Sequence, residues 1–160
     1  MALDKSKYFF SFYRNTEIQL FNYIKKNFDK EIFIGIIGKI SGRNKKIHYD
    51  IRELVPFPNL SRNPRYLATP PDHWLSIIEE KRQLLSNNLK FLGIIHSHPG
   101  KSSRKSKLDD QFGSQLQEQY GQILMIIIGY KSTLRCYLID DNKTQVILGD
   151  LKIFNLKKQK

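Results

Sequence analysis

Three short runs of β-branched and apolar residues constrain this chain most: "IFIGIIG" (32–38), "FLGIIH" (91–96) and "ILMIII" (123–128). Each is too continuously apolar for a surface helix and too short to cross a bilayer, so each is predicted to be a buried strand. Two helical patterns lie between or before them. "NTEIQLFNYIKKNF" spaces Leu20, Ile24 and Phe28 four apart, with Thr16 and Gln19 in capping-box register. "DHWLSIIEEKRQLL" is predicted to belong to a helix that starts near Thr69. It puts Trp74, Ile77, Ile78, Leu84 and Leu85 on one face and stops at Asn87 or Asn88.

The remaining segments fit the same plan. "KYFFSFYR" reads as a first strand, and "KKIHYDIRELV" as the antiparallel partner of "EIFIGIIGKISG" across a "GRNK" turn. "PFPNLSRNPRYLATPP" carries five of the six prolines and is an irregular connection. "SKLDDQFGSQLQEQY" is a short helix with Phe112 and Leu116 four apart. "STLRCYLID" and "TQVILGD" add two strands joined by a "DDNK" turn. Strands mixed with helices predict an α/β fold, a sandwich around one central sheet. At 160 residues the expected organisation is a single domain over 1–150, followed by a basic C-terminal tail over 151–160.

Composition narrows the setting. Hydrophobic residues form 40% of the chain, which argues against disorder. Cys136 is the single cysteine, so neither an internal disulfide nor a cysteine-rich zinc site can form. The N-terminus lacks the apolar core of a signal peptide, and the expectation is a cytoplasmic protein with no membrane partner. The net charge of +12 is concentrated in "RNKK", "KSSRKSK" and "KKQK". These runs are either solvated loops or an attraction to an acidic protein surface; a nucleic-acid partner is disfavoured because no RNP, KH or zinc-finger pattern is present.

The segment "HSHPGKSSRKSKLDD" carries the chemistry. Residues two apart on a strand point the same way, so His96 and His98 can aim at one point. Neutral imidazole is a common ligand for zinc. Asp109, in the first turn of the next helix, can add a carboxylate and leave a fourth position for water, the mark of a catalytic zinc site. Ser106 sits three residues earlier, where it could cap that helix. Single histidines usually have structural roles, and His48 and His73 are read that way.

The set His96, His98, Pro99, Ser106 and Asp109 resembles the JAMM motif of the JAB/MPN metalloproteases at every specified position. "EIFIGIIG" supplies the family's upstream glutamate, Glu31, seven residues before Gly38. The likeness extends in element order through most of residues 7–150. Two positions depart from the common pattern: Ile34 stands where a glycine is frequent, with Gly35 one later, and Lys105 stands where many prokaryotic relatives have proline.

The resemblance implies a cytidine-deaminase-like α/β/α sandwich and one Zn2+ per chain, held by His96, His98 and Asp109. Glu31 would be the general base and acid, and the Ser106 hydroxyl would help stabilise the oxyanion. Asp110, one residue too far along, would be no ligand. The implied reaction is hydrolysis after the C-terminus of ubiquitin or a ubiquitin-like protein, whose extended tail would lie beside the site by β-addition. A non-catalytic MPN scaffold is the alternative from another class, and a basic nucleic-acid-binding module is a third.

Overall fold

The computed structural model describes residues 7–141 and 143–158. The start of the N-terminal segment, Asn142 of the expected "DDNK" turn, and the last two residues of the basic tail lie outside these. The chain forms β1 (Tyr8–Phe12), α1 (Thr16–Lys26), β2 (Phe33–Arg43), β3 (Lys46–Phe57), α2 (Trp74–Leu85), β4 (Lys90–Ser97), α3 (Lys107–Tyr120), β5 (Ile123–Ile128), β6 (Thr133–Asp140), β7 (Lys143–Asp150) and β8 (Asn155–Leu156).

All eight strands join one mixed sheet in the order β5-β4-β2-β3-β1-β7-β6-β8. β5 also pairs with β6, antiparallel, from Ile123↔Ile139 to Ile128↔Leu134. The sheet therefore closes on itself instead of ending in two free edges. The one mixed sheet with helices is as expected; the sandwich layering is replaced by a sheet closed on itself. The closure follows from β5 lying between β4 and β6, and from β1 pairing in parallel with both β3 and β7. Such pairings join segments distant in sequence, which no local pattern encodes.

Two apolar clusters occupy the two faces of this sheet. One gathers Ile34, Ile36, Ile95, Leu124, Ile126 and Cys136 with Leu20 of α1. The other gathers Phe33, Ile37, Ile94, Met125 and Ile127 with Trp74 and Ile78 of α2 and Leu116 of α3. Residues of β2 and β5 alternate between the clusters, as a sheet covered on both faces requires. α2 comes close to β2 because Gly35 has no side chain: an added β-carbon would run into Ile78.

β4 breaks the alternation once. Ile36 pairs with Gly93 and Ile37 with Phe91, so Leu92 is an extra residue. Leu92 and Ile95 fall in the first cluster and Ile94 in the second. The bulge re-phases the strand, and His96 follows Ile94 onto the face that α3 covers. Gly93 permits this with φ +146, and a β-carbon there would run into the Leu124 backbone.

The helix boundaries differ from expectation. Thr16 is the first residue of α1 and not its cap; its hydroxyl donates to the Tyr13 carbonyl at 2.5 Å, and the Asn15 side chain at the N-cap position makes no capping hydrogen bond. α1 stops at Lys26, leaving Phe28 76% exposed beyond it. α2 begins at Trp74, not near Thr69, and its cap is Ser86 rather than Asn87 or Asn88. Leu84 and Leu85 do not join its buried face: Trp74 and Ile78 are buried and Leu75 and Ile77 pack against the core, while Leu84 is 85% and Leu85 41% exposed.

Residues 151–156, read from the sequence as the start of a basic tail, are tied to the body. β8 pairs with β6, and Phe154 is buried. The Glu17 carboxylate accepts from the backbone N–H groups of Lys152 (3.0 Å), Ile153 (2.7 Å) and Phe154 (3.1 Å). Among the described residues no helix is long and apolar enough to cross a membrane.

Candidate metal centre

His96 lies in the buried last part of β4, and His98 follows just past the strand's end, its N–H still bonded to the Ile128 carbonyl at 2.8 Å. The two rings lie 4.9 Å apart, so the expectation that they aim together holds. Asp109 is brought in by α3. Ser106 is the N-cap of that helix, and a full capping box forms: Ser106 Oγ accepts from the Asp109 N–H at 3.2 Å, and Asp109 Oδ2 accepts from the Ser106 N–H at 2.6 Å. The cap thereby sets the carboxylate's orientation. Its Oδ1 is 3.0 Å from His96 Nε2 and its Oδ2 is 3.3 Å from His98 Nε2.

Glu31 arrives from the other side, two residues before β2. Its carboxylate and the two imidazoles place one ligand atom each within 4.8 Å of one another. The backbone around it is pinned three times. The Glu31 N–H donates to Pro64 O at 2.7 Å, its carbonyl accepts from Asn59 Nδ2 at 2.9 Å, and the next N–H, of Ile32, donates to Ser97 Oγ at 3.0 Å. Asn59 also donates to Leu67 O (2.8 Å) and Pro64 O (3.1 Å) and accepts from Thr69 N (3.0 Å) and Ser61 N (3.0 Å). It is the hub of the proline-rich connection. Neither Asn59 nor Ser97 was singled out from the sequence. Ser97, between the two histidines, carried a positional signal; Asn59 carried only its place in a loop.

The electrostatics suit a cation. His98 Nδ1 donates to the Ser102 carbonyl at 3.1 Å, so in the neutral ring Nε2 presents a lone pair to a carboxylate. His96 Nε2 is buried and has no hydrogen-bond partner, close as it is to Asp109. Lone pairs and carboxylate oxygens facing one another need a positive charge between them. Burial acts to raise the Asp109 carboxyl's pKa, but the two imidazoles and the Ser106 N–H outweigh it and hold the group well below the usual range. Burial raises that of Glu31, against the pull of the same imidazoles. Two nitrogens and carboxylate oxygens are the donor set that fits zinc. Asp110 is outside the group; it pairs with Lys105 on the exposed side of α3.

These four groups stand at the end of a cleft of about 250 Å3. Its floor is Phe33, Ile94 and Met125, and its walls are Tyr66 and Leu67 on one side and Leu108 and Phe112 of α3 on the other. Ser106 is also on the lining, its O–H free to donate after its oxygen has accepted the Asp109 N–H.

The family model for prokaryotic homologs of the JAB domain matches residues 18–140, which include all four groups. The chain belongs to this family. The solution structure of a Desulfitobacterium hafniense protein has the same fold as this JAB domain, with a TM-score of 0.65 at 17% identity over 94% of each chain. No curated protein matches the chain.

Proposed function

We propose that this JAB domain is a zinc-dependent peptidase or isopeptidase that cleaves after the C-terminus of ubiquitin or a ubiquitin-like modifier. The observation that carries the proposal is the convergence of His96, His98, Asp109 and Glu31 at the end of one cleft, with His96 Nε2 buried and without a hydrogen-bond partner. His96, His98 and Asp109 would hold the ion. When bound, zinc supplies Lewis-acid polarisation and lowers the pKa of a water toward ~7.

The chain's own groups do the rest. Glu31, fixed by Asn59, Pro64 and Ser97, takes the proton of the attacking water and returns it to the leaving amine. Burial raises its pKa, the direction that suits a group that must accept the proton and hold it until it is given back. The Ser106 hydroxyl donates to the oxyanion that forms as the carbonyl is attacked. The apolar floor keeps bulk water from the reacting bond.

A substrate tail has no free strand edge beside His96, because β4 is paired there with both β2 and β5. The β-addition expected for a tail is thus not available at this strand. Recognition has to come from the walls formed by the 58–73 connection and α3.

The test is to incubate the zinc-loaded protein with a panel of ubiquitin and ubiquitin-like fusions, with and without a chelator. Metal-dependent release of the modifier is expected. Absence of cleavage across the panel by fully loaded protein would overturn the proposal.

A further inference from the structure

Two loops meet at the mouth of the cleft, and each brings a cation. Lys101 Nζ sits 5.2 Å from the centre of the Tyr66 ring, an aromatic that is 65% exposed and lines the cleft. Arg65, beside Tyr66, reaches back so that its Nη2 lies 3.9 Å from where a β-carbon on Gly100 would stand. Neither cation is in a direct ion pair among the described residues, although Lys101 is near enough to the Glu31 carboxylate to act on its pKa; neighbouring Lys105 is neutralised by Asp110.

Their meeting is set by the backbone. Pro64, just before Arg65, accepts from the Glu31 N–H at 2.7 Å; the Lys101 N–H donates to the His98 carbonyl at 3.0 Å, and its carbonyl accepts from Tyr130 N at 2.6 Å. Both cations are thus carried by segments anchored to residues of the candidate centre. Two like charges on adjoining loops, offset from within only by the half-buried Glu31 carboxylate near Lys101, favour a ligand that supplies further negative charge. The apolar lining below them suits a polypeptide whose neighbouring groups are apolar or small.

We propose that Arg65 and Lys101, with Tyr66, form a specificity site for an acidic side chain of the substrate polypeptide close to the bond that is cut. This rests on the peptidase reading above and narrows it: an arginine-rich tail is repelled here, and one with Asp or Glu beside the cut is preferred.

Binding tests this separately from turnover. The zinc-loaded Glu31→Gln protein would be titrated, by fluorescence anisotropy at low and at high salt, with labelled peptides containing Gly-Gly. The peptides carry Glu, Gln or Lys at each position flanking the two glycines. The Glu peptide is expected to bind about fivefold tighter than its Gln counterpart at low salt, the scale of exposed ion pairs, and less so at high salt. The Lys peptide should bind weakest. Arg65→Gln/Lys101→Gln, both at exposed positions, should abolish the difference. Equal affinity for the three peptides, a preference that survives the double substitution, or no binding of the Glu peptide would each overturn the site. Loss of cleavage across the modifier panel with the Glu preference intact would overturn the peptidase reading and leave the site standing.

Discussion

The side-chain amide of Asn59 donates to the backbone carbonyl of Glu31 at 2.9 Å, tying an irregular loop to the residue proposed to move the proton. The same side chain holds Leu67, Pro64 and Thr69, so the cleft wall and the glutamate are positioned by one group. Asn59→Asp keeps the acceptor oxygen and loses the donor. It is expected to lower kcat of the zinc-loaded protein while zinc content stays at wild-type level, and to cost about 1–3 kcal/mol in urea denaturation. Unchanged kcat would show that Glu31 is held well enough by Pro64 and Ser97 alone.

Zinc content distinguishes the two adjacent aspartates. His96→Ala, His98→Ala and Asp109→Ala should each bind far less than one zinc per chain, because each removes an atom of the group that converges there. Asp110→Ala should bind zinc like the wild type, since Asp110 faces Lys105. Metal analysis after dialysis reads this directly, and the opposite order for Asp109 and Asp110 would refute the ligand set.

Glu31→Gln separates proton transfer from metal binding. The carboxylate lies within reach of both imidazoles, so it could in principle serve as a ligand as well. The expectation is retained zinc and a turnover loss of ~10² or more, the scale for a general base. Substantial loss of zinc in this variant would make Glu31 a ligand and move the base elsewhere.

Acid should strip the metal early. Burial acts to lower the His98 pKa, but Asp109 and the Ser102 carbonyl outweigh it, and the metal-free group is raised above its ordinary value. A ligand must be neutral to bind, so protons compete at His98 from a higher pH than at a free histidine. Zinc affinity, measured against a competing chelator, is expected to fall with decreasing pH beginning above ~6.5, the ordinary histidine value. A flat affinity from pH 8 to 6 would contradict this.

Glu17 concerns stability and not the site. Its carboxylate gathers three backbone N–H groups of residues 152–154. Glu17→Ala leaves those donors without that acceptor and should destabilise by about 1–3 kcal/mol in urea denaturation, with zinc binding unaffected. A variant of wild-type stability would mean that water replaces the carboxylate there without loss.

Much of this was legible in the sequence because it is local. The runs around Ile34, Ile94 and Ile126 announce strands, and the spacing of His96, His98, Ser106 and Asp109 announces the cluster and its cap. The misread features depend on distant partners. Phe28, Leu84 and Leu85 fit a helical apolar stripe, yet they stay 76%, 85% and 41% exposed, so tertiary contact decided against periodicity. Thr16 has the capping pattern, but its hydroxyl is taken by Tyr13. The parallel pairing of β1 with β3 and β7, which completes the closed sheet, and the hub at Asn59 both join segments whose meeting only the folded chain defines.

The bulge at Leu92 divides β4 into two lengths with opposite phase. A strict two-residue alternation counted from Phe91 would put His96 on the side of the first cluster; the extra residue is what sets it opposite Phe33, on the face that α3 covers. The two histidines keep their mutual spacing under either count. A motif of this kind is therefore a spelling whose meaning depends on one silent letter upstream.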